Sequence, residues 1–180
     1  FGAEKDFILR TGHMAEAKYL LAGIYSGRKN YDSALQYLEQ VISDPQTEQS
    51  TREKALFKKS QALALSGKKD QGLQEIQNLL NQKTSDPAMV YFQKGELLRV
   101  TGNFSEAAAA YESVPEKGGG EYFKAALYEL GDVYVKAGNP EKARTSLERY
   151  VSLFREDENS ARATLQMAQI DLDTGNFARA

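Results

Sequence analysis

The strongest constraint on this chain is a phrase that recurs at a near-constant interval. Gly102-Asn103-Phe104, Gly138-Asn139-Pro140 and Gly175-Asn176-Phe177 are each followed three residues on by an alanine: Ala107, Ala143 and Ala180, spaced by 36 and 37 residues. Two fainter copies come first, Lys29-Asn30-Tyr31 leading to Ala34 and Gly67-Lys68-Lys69 leading to Gly72, at spacings of 38 and 35. A repeat of this length is one supersecondary unit that cannot bury its apolar face alone, so five in phase predict a stack of units sharing a continuous core.

The phrase itself predicts what the unit is. Glycine adopts the left-handed conformation that ends one helix, and asparagine accepts hydrogen bonds from the free amides of the next, which gives a helix-turn-helix hairpin. Seven residues before each turn residue stands a small residue: Ala22, Ser60, Gly95, Gly131 and Ala168. Paired with Ala34, Gly72, Ala107, Ala143 and Ala180 on the second helices, these predict a close approach of the two backbones. Apolar periodicity predicts helices over 14–27, 31–43, 51–66, 69–82, 87–101, 104–114, 121–137, 140–154 and 160–174, with a further one starting at Phe177 and no competing strand pattern. Pro45, Pro87, Pro115 and Pro140 fall at helix ends or first turns, and Ser50-Thr51-Arg52-Glu53 has the form of a capping box. Residues 1–13, with Phe7, Ile8 and Leu9, stand where the period places the end of a preceding helix. With Phe1 in first place, the chain reads as an excised piece of a longer array.

Composition removes most chemistry. Twenty-three basic and twenty-five acidic side chains in 180 residues leave a formal charge of −2, no surplus for a polyanion. The longest apolar runs are short, as at Ala107 to Tyr111, so no membrane insertion is expected. There is no cysteine and one histidine, which excludes thiol nucleophiles, zinc-thiolate sites and multi-histidine metal sites. His13 reads as a turn residue. Gly118-Gly119-Gly120 lacks the strand and fingerprint of a phosphate loop and reads as a flexible linker. The Lys58-Lys59 and Lys68-Lys69 pairs read as solvated faces.

Taken together, the residues resemble the tetratricopeptide repeat family. The fourth copy carries the likeness best, with Leu127, Leu130-Gly131, Tyr134, Gly138, Ala143 and Leu147 at family positions. The third offers Tyr91, Gly95, Leu98, Gly102, Phe104, Ala107 and Tyr111, and the first Leu21-Ala22, Tyr25, Tyr31, Ala34, Leu38 and Pro45. Departures are Lys59 for a leucine, Gly72 for an alanine and Asp171 for a tyrosine. The resemblance implies an all-α, right-handed superhelix (α-solenoid) over 1–180, with repeats at 14–48, 50–85, 87–118, 121–157 and an incomplete 160–180. The long period and the Phe154-Arg155-Glu156-Asp157 segment are similar to a subgroup found in bacterial cell-envelope scaffolds and assembly lipoproteins, which implies a periplasmic or envelope location; a cytoplasmic one stays open.

In this family the first helices line a concave groove. Counting the small residue as eighth, the fifth position reads Tyr19, Phe57, Phe92, Tyr128 and Leu165, a series of four rings. The ninth reads Gly23, Gln61, Glu96, Asp132 and Gln169, with Arg99 and Lys136 one turn on. The candidate partner-binding residues are therefore Tyr19, Phe57, Gln61, Phe92, Glu96, Arg99, Tyr128, Asp132, Lys136 and Gln169. Glu96 with Arg99 and Asp132 with Lys136 have the spacing of helical ion pairs, which argues against a catalytic carboxylate pair. The family's carboxylate clamp for chaperone C-termini needs a lysine and an asparagine where this chain has Tyr19 and Gly23. The resemblance thus implies a non-enzymatic scaffold that binds a protein or peptide, with no cofactor, no metal and no nucleic acid. A docking domain of a larger enzyme or envelope assembly machine is the alternative. Leu165, Ile170 and Leu172, uncovered at the last helix, predict self-association through an array end.

Overall fold

The computed structural model describes residues 14–81 and 86–176, and every regular element among them is an α-helix. In chain order these are α1 Met14–Gly27, α2 Tyr31–Ser43, α3 Gln49–Leu65, α4 Lys69–Asn81, α5 Pro87–Val100, α6 Phe104–Glu112, α7 Gly120–Lys136, α8 Pro140–Leu153 and α9 Ser160–Asp173. This is an all-α helical-repeat solenoid. The expected segments at residues 1–13 and from Phe177 to Ala180 lie outside the described residues.

Two compact units divide at residue 85. In the first, α1 pairs with α2, α3 with α4, and α2 and α1 both pack on α3. Ala22, Leu38, Val41 and Ala55 form its fully buried centre, with Ala15, Tyr19, Tyr37 and Ile42 packed around it. In the second, α5 pairs with α6, α7 with α8, and first helix packs on first helix, α5 on α7 and α7 on α9. Its core includes Leu97, Leu98, Ala107, Tyr111, Leu127, Val133, Leu147 and Tyr150.

The turn chemistry is the same in all five copies. Gly67, Gly102, Gly138 and Gly175 have φ of 89°, 79°, 77° and 76°, and Lys29 takes the place of glycine at 58°. Each turn closes with the paired bonds of a Schellman motif: Gly102 N–H donates to the Arg99 carbonyl at 3.1 Å and Asn103 N–H to that of Leu98 at 2.8 Å, for example. The asparagines behave less uniformly. Asn30 accepts from Ser33 N–H at 3.2 Å, but Asn103 and Asn139 make no side-chain cap bond. Asn139 instead donates to the Ala137 carbonyl at 3.1 Å. The paired backbone bonds of the turn already position the chain, so the side-chain cap is dispensable.

Other expectations are corrected by packing. The capping box at Ser50 does not form; α3 begins at Gln49, and Glu53 is fully buried and accepts from Gln49 Nε2 at 2.8 Å. Arg52 ties the preceding turn to the helix through the carbonyls of Ile42, Asp44 and Thr47 at 3.2, 3.0 and 2.9 Å. Close backbone approach holds at Gly72, where a Cβ would meet the Ser60 carbonyl oxygen at 2.5 Å. At Gly95 and Gly131 the vacated space is filled by side chains, Tyr111 and Leu147, with Cβ contacts of 2.6 Å. Within the glycine run Gly119 is packed: it is buried, and a Cβ there would lie 2.0 Å from the Pro115 carbonyl oxygen. Lys58 and Lys59 are not a solvated face. Lys59 bridges Glu39 of α2 and Glu75 of α4 at 3.0 and 2.8 Å, which explains a lysine in place of leucine. Asp171, 1% exposed, replaces the family tyrosine with an ion pair to Arg144 of α8. On α9, Leu165 and Leu172 are exposed, whereas Ile170 is buried.

Candidate partner-binding site

The four rings of the first helices are all half-buried, and each unit holds two of them. In the first unit, Tyr19 rests on the buried centre of α1 to α3, and the Lys58 ammonium of α3 stands over its ring at 4.9 Å from the centroid. Phe57 and Gln61 lie half-buried on α3. In the second unit the rings share a design: Phe92 packs on Tyr111 at 5.6 Å, Tyr128 on Tyr150 at 5.3 Å. Each ring of a first helix thus rests on a buried tyrosine of the second helix of its own hairpin. Offset and tilted ring pairs of this kind add roughly 0.5–1.5 kcal/mol beyond area burial.

Those buried tyrosines hold their hydroxyls on carboxylates. Tyr111 donates to Glu96 and Tyr150 to Asp157, while Tyr134 of α7 donates to Glu112 of α6. Burial first, then the carboxylate that its proton bonds, raises the pKa of each phenol; that of Tyr150 is pushed up to about 12. The Tyr150 hydroxyl, the Asn159 backbone N–H and the Lys124 ammonium together lower the Asp157 carboxyl to about 2.

The acids and bases read from the sequence pair along their own helices. Arg99 donates to Glu96 through Nε at 3.1 Å and Nη2 at 2.8 Å, and Lys136 to Asp132 at 2.7 Å. Gln169 is exposed and donates to Asp173 on the same helix at 2.8 Å. What the sequence did not single out is Glu129. It sits one residue after Tyr128, 3.7 Å from Arg99 Nε. Burial, then the like charge of Glu96, raises its pKa above the ordinary carboxylate value. Arg99 is thus shared across α5 and α7 by two acids, with the nearer bonds going to Glu96.

Of these groups Glu129 lines an open cleft of about 470 Å³ within the second unit. Phe92 of α5, Tyr122 and Tyr128 of α7 and Tyr150 of α8 supply aromatic surface, and Phe92 and Tyr122 are themselves 5.7 Å apart. Glu121, Glu129, Asp157 and Glu158 supply carboxylates against the one ammonium of Lys124. Phe92 and Tyr128 are therefore brought to one site, whereas Glu96, Arg99, Asp132, Lys136 and Gln169 are absent from its lining. Tyr122, Glu129 and Asp157 were missed because they fall before the counted groove positions, between them, and in the turn before α9, respectively. Among the described residues no group of histidine, cysteine and acidic side chains could hold a metal ion, and no helix is long and apolar enough to cross a membrane.

Family models described as tetratricopeptide repeat match residues 15–43, 92–161 and 128–180. The chain belongs to the tetratricopeptide repeat family. No curated protein matches the sequence. Among solved structures, the tetratricopeptide repeat fold recurs in the nearly identical TPR-like repeats of a putative kinesin light chain of Podosopora anserina, with a TM-score of 0.68, 14% identity, and coverage of 93% of this chain and 91% of that one. MamA from Desulfovibrio magneticus RS-1 gives a TM-score of 0.64 at 18% identity, over 93% of this chain and 89% of its own. A thermophilic TPR protein of Thermus thermophilus gives 0.59 at 17% identity, over 92% and 85%. At these identities the likeness establishes the fold alone. Tetratricopeptide repeats are in general non-catalytic interaction modules.

Proposed function

We propose that this chain is a non-enzymatic protein-protein interaction scaffold that binds a peptide or helix of a partner along its first helices. The observation that carries the reading is the pair Phe92 and Tyr128. Both rings stand at the family's groove-facing position, are half-buried rather than sealed in the core, and line one open cleft of about 470 Å³. Rings held on buried tyrosines are rigid anchors, and such anchors carry most of the energy of an interface. The acids that a catalytic reading needs are engaged elsewhere, Glu96 by Arg99 and Tyr111 and Asp132 by Lys136.

The test begins with peptides selected from a displayed random library on the 180-residue chain. Phe92→Ala and Tyr128→Ala are expected to weaken their binding about thirtyfold each, while Glu96→Gln and Asp132→Asn stay within about threefold. Circular dichroism and melting temperature establish that each variant is folded; Phe92→Leu and Tyr128→Leu, which keep apolar volume, serve where alanine unfolds the protein. Ring variants that bind like the parent while charge variants fail would make the strip electrostatic and overturn the assignment.

A further inference from the structure

We propose that the acid-rimmed aromatic cleft of the second unit seats a cationic side chain, arginine before lysine, supplied by the partner peptide. The proposal deepens the scaffold reading and rests on it.

The argument comes from one position of the repeat, two residues before the small residue of each first helix. In the second repeat that residue is Lys58, and its ammonium covers Tyr19, the ring of the preceding first helix, at 4.9 Å. In the fourth repeat the same position is Glu129, on the helix packed against the one that bears Phe92. In the fifth it is Gln166, on the helix packed against the one that bears Tyr128. In the first unit Tyr19 therefore carries the chain's own cation over its ring, while the second unit offers a carboxylate and an amide at that repeat position. Among the described residues no cation stands over Phe92 or Tyr128. Elsewhere the chain does pair its rings in this way, Lys142 over Tyr134 at 5.3 Å and Arg149 over Phe123 at 5.4 Å.

The charge of the lining points the same way. Four carboxylates face one ammonium, and that ammonium is already held by Glu121 at 2.6 Å and Asp157 at 3.1 Å. Glu129 is half-buried, and the guanidinium nearest to it, Arg99, makes its closer bonds to Glu96. A cation entering the cleft would offset by charge pairing the cost of holding Glu129 half-buried and meet the faces of the rings, where the attraction is strongest for a weakly hydrated, planar guanidinium. A volume of about 470 Å³ lies within the range of small-ligand sites, roughly 300–1,000 Å³. The open shape suits a side chain projecting from a peptide rather than an enclosed metabolite.

The experiment is a nitrogen-15 NMR titration of the 180-residue chain with four blocked tetrapeptides that are identical except at one residue: arginine, its uncharged isostere citrulline, glutamate or phenylalanine. The arginine peptide is expected to shift the amides of residues 121–129 and 157–159 with a Kd of about 1 mM, and the citrulline peptide to bind at least about fivefold more weakly. Glu129→Lys, which builds the arrangement of Lys58 and Tyr19 into the second unit, is expected to abolish the arginine response. Glu129→Gln and the exposed Glu158→Gln should weaken it severalfold, and these changes of charge alone serve if the lysine variant does not fold. Equal binding of arginine and citrulline peptides, or tighter binding of the glutamate peptide, overturns the proposal. If the phenylalanine peptide shifts Phe92 and Tyr128 while arginine adds nothing, the cation seat fails and the scaffold reading stands. If no peptide perturbs the first helices at about 10 mM, both fail.

Discussion

The ring of Tyr111 occupies the space that a side chain on Gly95 would take: a Cβ there would meet its Cδ1 and Cε1 at 2.6 Å. The glycine is therefore the seat of the tyrosine that supports Phe92 and bonds Glu96. Gly95→Ala gains about 1 kcal/mol of helix propensity but must push a buried ring, at a cost of about 1–3 kcal/mol. The net expectation is destabilisation by about 1 kcal/mol in urea unfolding, with Phe92 displaced. A more stable Gly95→Ala protein would show that the ring moves freely and does not hold the site.

Lys29 is the sole non-glycine residue with positive φ among the described residues, at 58°. A side chain in that conformation costs roughly 1–2 kcal/mol, partly offset by the greater chain entropy that glycine loses on folding. Lys29→Gly should raise stability by about 0.5–1 kcal/mol, and Gly138→Ala should lower it by a similar amount. Both are read from chemical denaturation at unchanged helical content.

Arg144 donates through Nε to both carboxylate oxygens of Asp171, at 2.9 and 3.1 Å. The acid is 1% exposed, whereas the arginine also reaches the exposed Glu148 at 3.2 Å. Removing the two partners is therefore unequal. Arg144→Leu strands a buried carboxylate and should cost about 3 kcal/mol or more. Asp171→Leu leaves a cation that can turn to Glu148 and solvent, and should cost about 1 kcal/mol or less. Equal losses would mean that water reaches Asp171.

Asp157 gives the stability a defined acid dependence. Its carboxyl is lowered from 3.8 to about 2, chiefly by the Tyr150 hydroxyl, then by Asn159 N–H and Lys124. A group whose folded pKa lies below its unfolded value stabilises the protein above the unfolded pKa and loses that contribution as pH falls through the folded one. The melting-temperature advantage of the parent over Asp157→Asn should be constant above about pH 5 and shrink between about pH 4 and 2. An advantage that persists unchanged to pH 2 would place the stabilisation elsewhere than in the ionised carboxylate.

The repeat, the helices and the turns were legible in the order of residues alone. They depend on residues within about two turns of each other: glycine at positive φ, proline at a first turn, apolar side chains at helical spacing. The ion pairs within one helix, Glu96 with Arg99 and Asp132 with Lys136, were legible for the same reason. Where a local motif failed, burial or another local bond replaced it: Glu53 is buried and bonds Gln49 instead of closing a capping box, and Asn139 bonds backward to the Ala137 carbonyl. Which cation covers which ring was settled only by the packing of one helix on another. Lys58 reaches Tyr19 from 39 residues away, Lys59 joins α2 to α4, and Glu129 is drawn into a half-buried place beside Glu96. No periodicity encodes such pairs, because their chemistry follows from how one first helix is set against the next: the packing angle and depth of two hairpins fix the distance between side chains that are remote in the chain.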